Sequence, residues 1–250
     1  MSRIRVLLGV VLIFALGACA ARPVAPAIET LQPGVLTIAI TGTAADLLDP
    51  EAWMYRYAER LGQDLGLRVE WQVVPFDKSW ELAGKDVVDV VATNLASFPD
   101  RVSSGGTFSA PFLYEQRALR IRAADRERYK TITDFSGRKV GAVKGMAAER
   151  DLLRRAPGGV HIVSTTTFPE LYAQFDRGEL DAVAQAEYFA LDGRVIPSYG
   201  PEIVLIDHHD LNPGQREESV FVVRDKSTGL LDAVNAFVKR TPFPLHLSVK

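Results

Sequence analysis

Cysteine is almost absent from this chain: Cys19 is the single one in 250 residues. No intrachain disulfide can form, so stability in an oxidising compartment has to come from packing alone. Blocks of positive charge are missing too. Lysine and arginine number 29 against 31 acidic residues, a formal net charge of −2, which excludes the electrostatic footprint of a nucleic-acid binder. There is no G-x-S-x-G, no phosphate-binding P-loop, no C-x-x-C and no cysteine nucleophile. The four histidines never fall in an H-x-x-x-H spacing. Asp207-His208-His209-Asp210 is the densest set of ligand-type side chains, but neighbours in an extended segment point to opposite faces. It reads as a solvated loop, and neither a metal nor a cofactor is expected.

The long apolar run that does occur, Val6–Leu16, is too short to span a bilayer as a stable helix. Arg3 and Arg5 precede it, and Leu16-Gly17-Ala18-Cys19 ends it. This order resembles a bacterial lipobox, with residues 1–18 as signal peptide and Cys19 as the acylated mature N-terminus. Each buried acyl methylene adds ~0.8 kcal/mol, so several chains make a lasting membrane anchor. Ala20, where lipoprotein sorting rules look for Asp, implies a periplasmic protein held at the outer rather than the inner membrane. Residues 19–33, rich in Pro and Ala, read as a flexible tether.

The globule begins at Gly34. Val35–Ile40 is a short apolar strand, Ala52–Leu65 a helix closed by Gly66, and Leu67–Val74 a strand. A short helix over Lys78–Ala83 leads to a strand over Val87–Ala92. The same grammar returns: a strand ending at Val143, a helix over Ala147–Arg155, a strand over Val160–Ser164, a helix over Phe168–Phe175, and a strand over Arg177–Ala184. Gly84 with Asp89-Val-Val-Ala92 matches Gly178 with Asp181-Ala-Val-Ala184. Two such units predict an α/β protein with two similar, mostly parallel lobes. Arg117–Ile121 and Val220–Arg224 are the alternating strands that would cross between them. That places lobe 1 at 34–115 and 219–250 and lobe 2 at 116–218, with ligand in the cleft. Leu230–Val238 has the apolar spacing of a helix returning to lobe 1.

The chain is organised around residues 89–112 (DVVATNLASFPDRVSSGGTFSAPF). An apolar strand breaks into Thr93, Asn94, Ala96 and Ser97, read as a polar loop. Pro99 then suits the first position of a helix, followed by Arg101. Strand, polar loop and helix start make an anion site at the carboxyl end of a sheet, and a guanidinium fork matches a carboxylate.

Several motifs together resemble family 3 of the extracytoplasmic solute-binding proteins, the polar amino-acid receptors of ABC importers. They are Gly34–Ile38, Leu65-Gly66 with Val69-Glu70, Asp89–Ala92, Pro99–Arg101, Phe108–Phe112, Asp134–Gly141 and Gly178–Ala182. The resemblance implies a two-lobed type II periplasmic binding protein fold, with Arg101 gripping a ligand carboxylate. Thr93, Asn94 and Ala96 would stand at the strand end, and Gly145, Met146 and Ala147 would form the facing turn. Gln185 and the aromatic Trp53 complete the expected ligand contacts. The sequence departs from the family at Ala96, where Ser or Thr is usual, and at Ala186, where an Asp usually holds the ligand ammonium. The first loop has Trp53-Met54-Tyr55 in place of the family's aromatic signature. These departures keep part of the anion clamp and remove most of the amine clamp.

The expected function is that of a non-enzymatic, monomeric, lipid-anchored solute-binding protein. It would capture a small carboxylate or peptide-like ligand for an ABC permease or a sensor. The run Asp89–Leu95 is also similar to the ligand-binding domain of membrane-bound lytic transglycosylases, so a muropeptide- or protein-binding envelope module is the alternative. A cyclohexadienyl-dehydratase-like enzyme is a third reading, with Glu187 as its acid or base.

Overall fold

The structure is a computed structural model of the chain; it describes residues 28–42, 47, 53–101, 105–197, 203–207 and 216–243. The signal segment, Cys19 and most of the tether lie outside the described residues, as do Pro50, the helix-start residue Glu51, and His208–Asp210.

The elements run β1 (Val35–Ile40), α1 (Trp53–Asp64), β2 (Arg68–Val73), β3 (Val90–Ala96), β4 (Gly106–Phe108), β5 (Leu113–Arg122), β6 (Lys139–Val143), α2 (Ala147–Arg155), β7 (His161–Thr165), α3 (Phe168–Asp176), β8 (Ala182–Phe189), β9 (Val195–Ile196), β10 (Ile203–Asp207), β11 (Glu217–Arg224) and α4 (Leu230–Arg240). Hydrogen bonding orders the strands β2-β1-β3-β11-β5-β8-β6-β7. The order is palindromic in kind. β1 pairs in parallel with β2 and β3, and β3 meets β11 antiparallel. β6 pairs in parallel with β7 and β8, and β8 meets β5 antiparallel. The two halves join where Leu113–Glu115 of β5 pairs with Glu217–Ser219 of β11. These strands carry the chain across between the halves.

The repeat has a physical basis at Asp89 and Asp181. Asp89 donates its amide to Thr37 O (2.9 Å), and its carboxylate accepts from Thr37 N (2.9 Å) and Leu31 N (2.7 Å). Asp181 repeats the device on Lys139, amide to carbonyl at 2.8 Å and carboxylate to amide at 2.9 Å. Each Asp therefore splices the start of its strand to the central strand of its half. Asp89 is fully buried, and burial raises its pKa against the opposing pull of the two amides.

Helices pack by their apolar stripes. α1 turns Met54, Tyr57, Ala58 and Leu61 inward, and α4 adds Leu230, Val234, Phe237 and Val238 to the same core. Tyr57 sits among Phe112, Phe221, Phe237 and Phe243, and its hydroxyl donates to Thr241 O at 2.9 Å. α4 therefore belongs with the β1 half. Several resemblance motifs have structural work. Asp134 forms a capping box with Thr131, and Ser109 and Phe112 bond the backbone of β11 at Phe221 and Ser219.

The outline matches the expected elements, with shifts at the strand ends. β3 runs from Val90 to Ala96 and β8 from Ala182 to Phe189, both beyond the expected termini. The antiparallel partners β11 and β5 supply hydrogen bonds that extend these strands, a tertiary effect invisible to local pattern. The helix expected over Lys78–Ala83 shortens to a 3₁₀ turn at Ser79–Glu81. Pro99–Arg101 is likewise one 3₁₀ turn, too short to provide a helix N-terminus for an anion.

Candidate functional site

Thr93, Asn94 and Ala96 belong to β3 rather than to a loop. Val91 pairs with Val222 and Leu95 with Val220, so Ala92, Thr93 and Asn94 stand against Phe221 alone. This bulge puts Asn94 in the left-handed region at φ 53°, which Asn tolerates better than most residues. Asn94 Nδ2 reaches Tyr188 Oη at 3.4 Å, while its Oδ1 is buried without a partner. Thr93 Oγ1 lies 3.2 Å from Ser79 Oγ.

After Ala96 the chain folds back so that the Arg101 amide donates to Phe98 O. The Arg101 side chain is fully buried. Nη1 donates to Ala96 O at 3.3 Å and Nη2 to Gly145 O at 2.7 Å, while Nε has no partner. The guanidinium carbon lies 5.4 Å from the ring centre of Phe76, 5.1 Å from Trp80 and 4.8 Å from Phe98. Among the described residues no carboxylate stands within ion-pair distance of it. Burial, then the neighbouring Arg150, pulls its pKa down to about 10. A buried cation without a counter-ion carries a large desolvation cost.

Arg101 also ties the halves together, because Gly145 follows β6. Gly145 has φ 79°, and a Cβ there would lie 2.9 Å from Asp77 Oδ1 and 3.1 Å from Asp77 Cα. Arg150–Asp100 (3.1 Å) and Lys144–Asp77 (3.8 Å) are ion pairs along the same seam. The Gly145 amide, expected to face ligand, donates instead to Glu149 Oε2 at 2.6 Å, and Ser164 Oγ holds the other Glu149 oxygen. Met146 and Ala147 lead into α2 with no side-chain cap. Position 146 lacks a hydroxyl, so the carboxylate of Glu149 in α2's own first turn takes the exposed donor.

The remaining expected contacts are dispersed. Gln185 Nε2 donates to Tyr172 Oη, and Tyr172 stacks under Arg120 at 4.9 Å. Trp53 opens α1 and meets Tyr188 and Phe243 edge-on, at 5.8 and 5.1 Å. Ala186 is buried directly opposite Arg117 in the β5–β8 register.

Sequence reasoning missed the charges of the crossing strands. Glu115 and Glu217 face each other in register. Nη2 of buried Arg117 stands 2.9 Å from a carboxylate oxygen of each, off the line of a good hydrogen bond. Burial opposes the Arg117 charge, but the two carboxylates outweigh it and raise its pKa. Glu217 is pushed up to about 7, first by burial and then by Glu115 and Asp151, with Arg117 and Arg101 pulling the other way. Burial also raises the Tyr188 hydroxyl, with Glu115 adding to it. The available signal was Glu115 and Arg117 at alternate positions of an otherwise apolar strand, which places both on one face.

No family model and no curated protein matches the sequence. Solved structures do match the fold. The amino acid ABC transporter substrate-binding protein AbpA from Streptococcus pneumoniae Canada MDR_19A, bound to L-arginine, aligns at 20% identity over 83% of this chain and 88% of its own, with a TM-score of 0.66. The ancestral amino acid-binding protein AncCDT-1, a precursor of cyclohexadienyl dehydratase, aligns at 18% identity over 83% and 89%, TM-score 0.65. A P235GK mutant of ArgBP from T. maritima aligns at 19% over 83% and 88%, TM-score 0.62. Strand order and these matches together show the fold of the two-lobed type II periplasmic binding proteins.

Proposed function

We propose that this chain is a non-enzymatic solute-binding protein that closes its two lobes on a small carboxylate-bearing ligand. The observation that carries this reading is Arg101, fully buried, ringed by three aromatic side chains and lacking a carboxylate partner. A ligand carboxylate at Nε would supply the missing charge and the missing acceptor. Lobe 1 is assigned to residues 34–115 with 219–250 and lobe 2 to 116–218. An acylated Cys19 would hold the protein at the membrane, and the liganded form would be read by an ABC permease or a sensor.

Calorimetry on the purified full chain tests this with the natural amino acids, aliphatic dicarboxylates and muropeptides. A carboxylate ligand is expected to bind the wild type and to fail with Arg101→Ala. Equal binding by that variant, or no carboxylate binding at all, refutes the reading. Binding of muropeptides alone, independent of Arg101, would instead support an envelope module. Release of Cys19→Ser into the soluble fraction checks the anchor.

A further inference from the structure

The junction between the two halves holds an uneven set of buried charges. β5 and β11 meet over three residue pairs, Glu115–Glu217, Tyr114–Glu218 and Leu113–Ser219. Among the described residues this is the only strand pairing that joins the halves. Glu115 and Glu217 stand directly opposite each other on one face of the sheet, where like charges repel. One guanidinium serves both: Arg117 Nη2 is 2.9 Å from an oxygen of each. Neither Arg117 Nη2 nor Glu217 Oε2 has a well-aligned hydrogen bond, and both atoms are buried. Glu218 points to the opposite face, where it accepts from Ser97 Oγ at 3.4 Å.

The other ionisable groups around the pair have partners of their own. Tyr188 of β8 lies opposite Glu115, and its hydroxyl accepts from Asn94 Nδ2 at 3.4 Å. Asp151 of α2 is ion-paired with Arg154 and Arg155 of the same helix. Arg101 directs its donors to Ala96 O and Gly145 O. No second cation therefore comes to the two carboxylates from these neighbours.

We propose that Glu115 and Glu217 form a proton-operated clamp across the junction of the halves: a proton taken up from solvent by Glu217 is shared with Glu115 as an O–H···O bond that ties β11 to β5, and its return to solvent frees the two strands. The Glu217 side chain is 15% exposed, so solvent reaches it. A protonated carboxyl supplies the donor that two carboxylates lack, and it leaves one carboxylate against one guanidinium. Burial, Glu115 and Asp151 raise the Glu217 pKa to about 7 against the pull of Arg117 and Arg101. The clamp is therefore closed below about pH 7 and open above it. It stands whatever the cleft binds. Acid stiffens the strands about which the lobes would close, and alkali loosens them.

The test is amide hydrogen exchange of the full chain, read by mass spectrometry at about pH 6 and about pH 8, with each rate divided by the intrinsic rate at that pH. Protection of the peptides covering β5 and β11 is expected to fall about threefold or more between the two, while peptides covering β6 and β7 hold theirs. Glu217→Gln is expected to keep the protection seen in acid at both pH values, because its amide donates to Glu115 without titrating. A direct reading needs no variant. Infrared titration of the wild type, with and without ¹³C-labelled glutamate, is expected to show one protonated glutamic acid that is lost with a midpoint near 7. Equal protection of β5 and β11 at both pH values overturns the clamp. So does a pH dependence that survives in Glu217→Gln, or the absence of a protonated glutamic acid at about pH 6.

Discussion

Replacing Arg101 with methionine keeps an unbranched, apolar stem and removes the guanidinium and its charge. The structure allows the magnitude to be worked. The fall of the guanidinium pKa to about 10 corresponds to roughly 3 kcal/mol of burden on the charged form, which the substitution lifts. Against this stand two lost bonds, a close one to Gly145 O and a long one to Ala96 O, together roughly 2–3 kcal/mol. Contacts with Phe76, Trp80 and Phe98 add about 1 kcal/mol, part of which the methionine thioether recovers. The sum lies near zero, so Arg101→Met is expected to unfold within about 1 kcal/mol of the wild type while losing carboxylate binding entirely. Urea denaturation followed by fluorescence and far-UV circular dichroism measures the first quantity, and calorimetry the second. A loss of more than about 3 kcal/mol with binding intact would show that Arg101 is a structural tie between the halves, and the anion-site argument would be wrong.

The same geometry predicts other outcomes. Gly145→Ala meets both a left-handed backbone and the Asp77 side chain; it should weaken the seam between the halves by ~2 kcal/mol and raise the radius of gyration seen by small-angle scattering. Asp89→Ala should cost roughly 2–3 kcal/mol because a buried and a part-buried amide lose their acceptor, and Asp181→Ala about 1 kcal/mol because its site is more exposed; comparable losses would contradict the burial argument. Glu217 has a folded pKa raised from 4.5 to about 7, so the folded state holds a proton that the unfolded state releases. Stability should therefore fall as pH rises between 4.5 and 7, by at most roughly 1 kcal/mol per pH unit, a slope that Glu217→Gln should flatten.

Much of the fold was legible in the sequence because it is local. α2 begins at Ala147 and ends at Arg155, and Gly66, Gly145 and Gly178 take the positive φ their positions demand. Apolar periodicity and glycine are short-range signals, and the internal repeat doubled their weight. The duplicated Asp89 and Asp181 pointed to paired units, and their carboxylate splices show why an acid stands before each strand. Arg101 also stood out, since a guanidinium after a strand end and a proline turn presents a planar fork that matches a carboxylate.

What the sequence could not determine is which groups meet across the two halves. Gly145 O reaches Arg101 across 44 residues, and Glu115 meets Glu217 across 102. No local pattern predicts that Arg117 lies opposite the missing acid at Ala186. Residue type and spacing established the repeat, the turns and the candidate cation at Arg101. Strand register across the junction of β5 and β11 decided where that cation stands and which buried acids border it, because burial and charge pairing depend on neighbours that only the folded chain brings together.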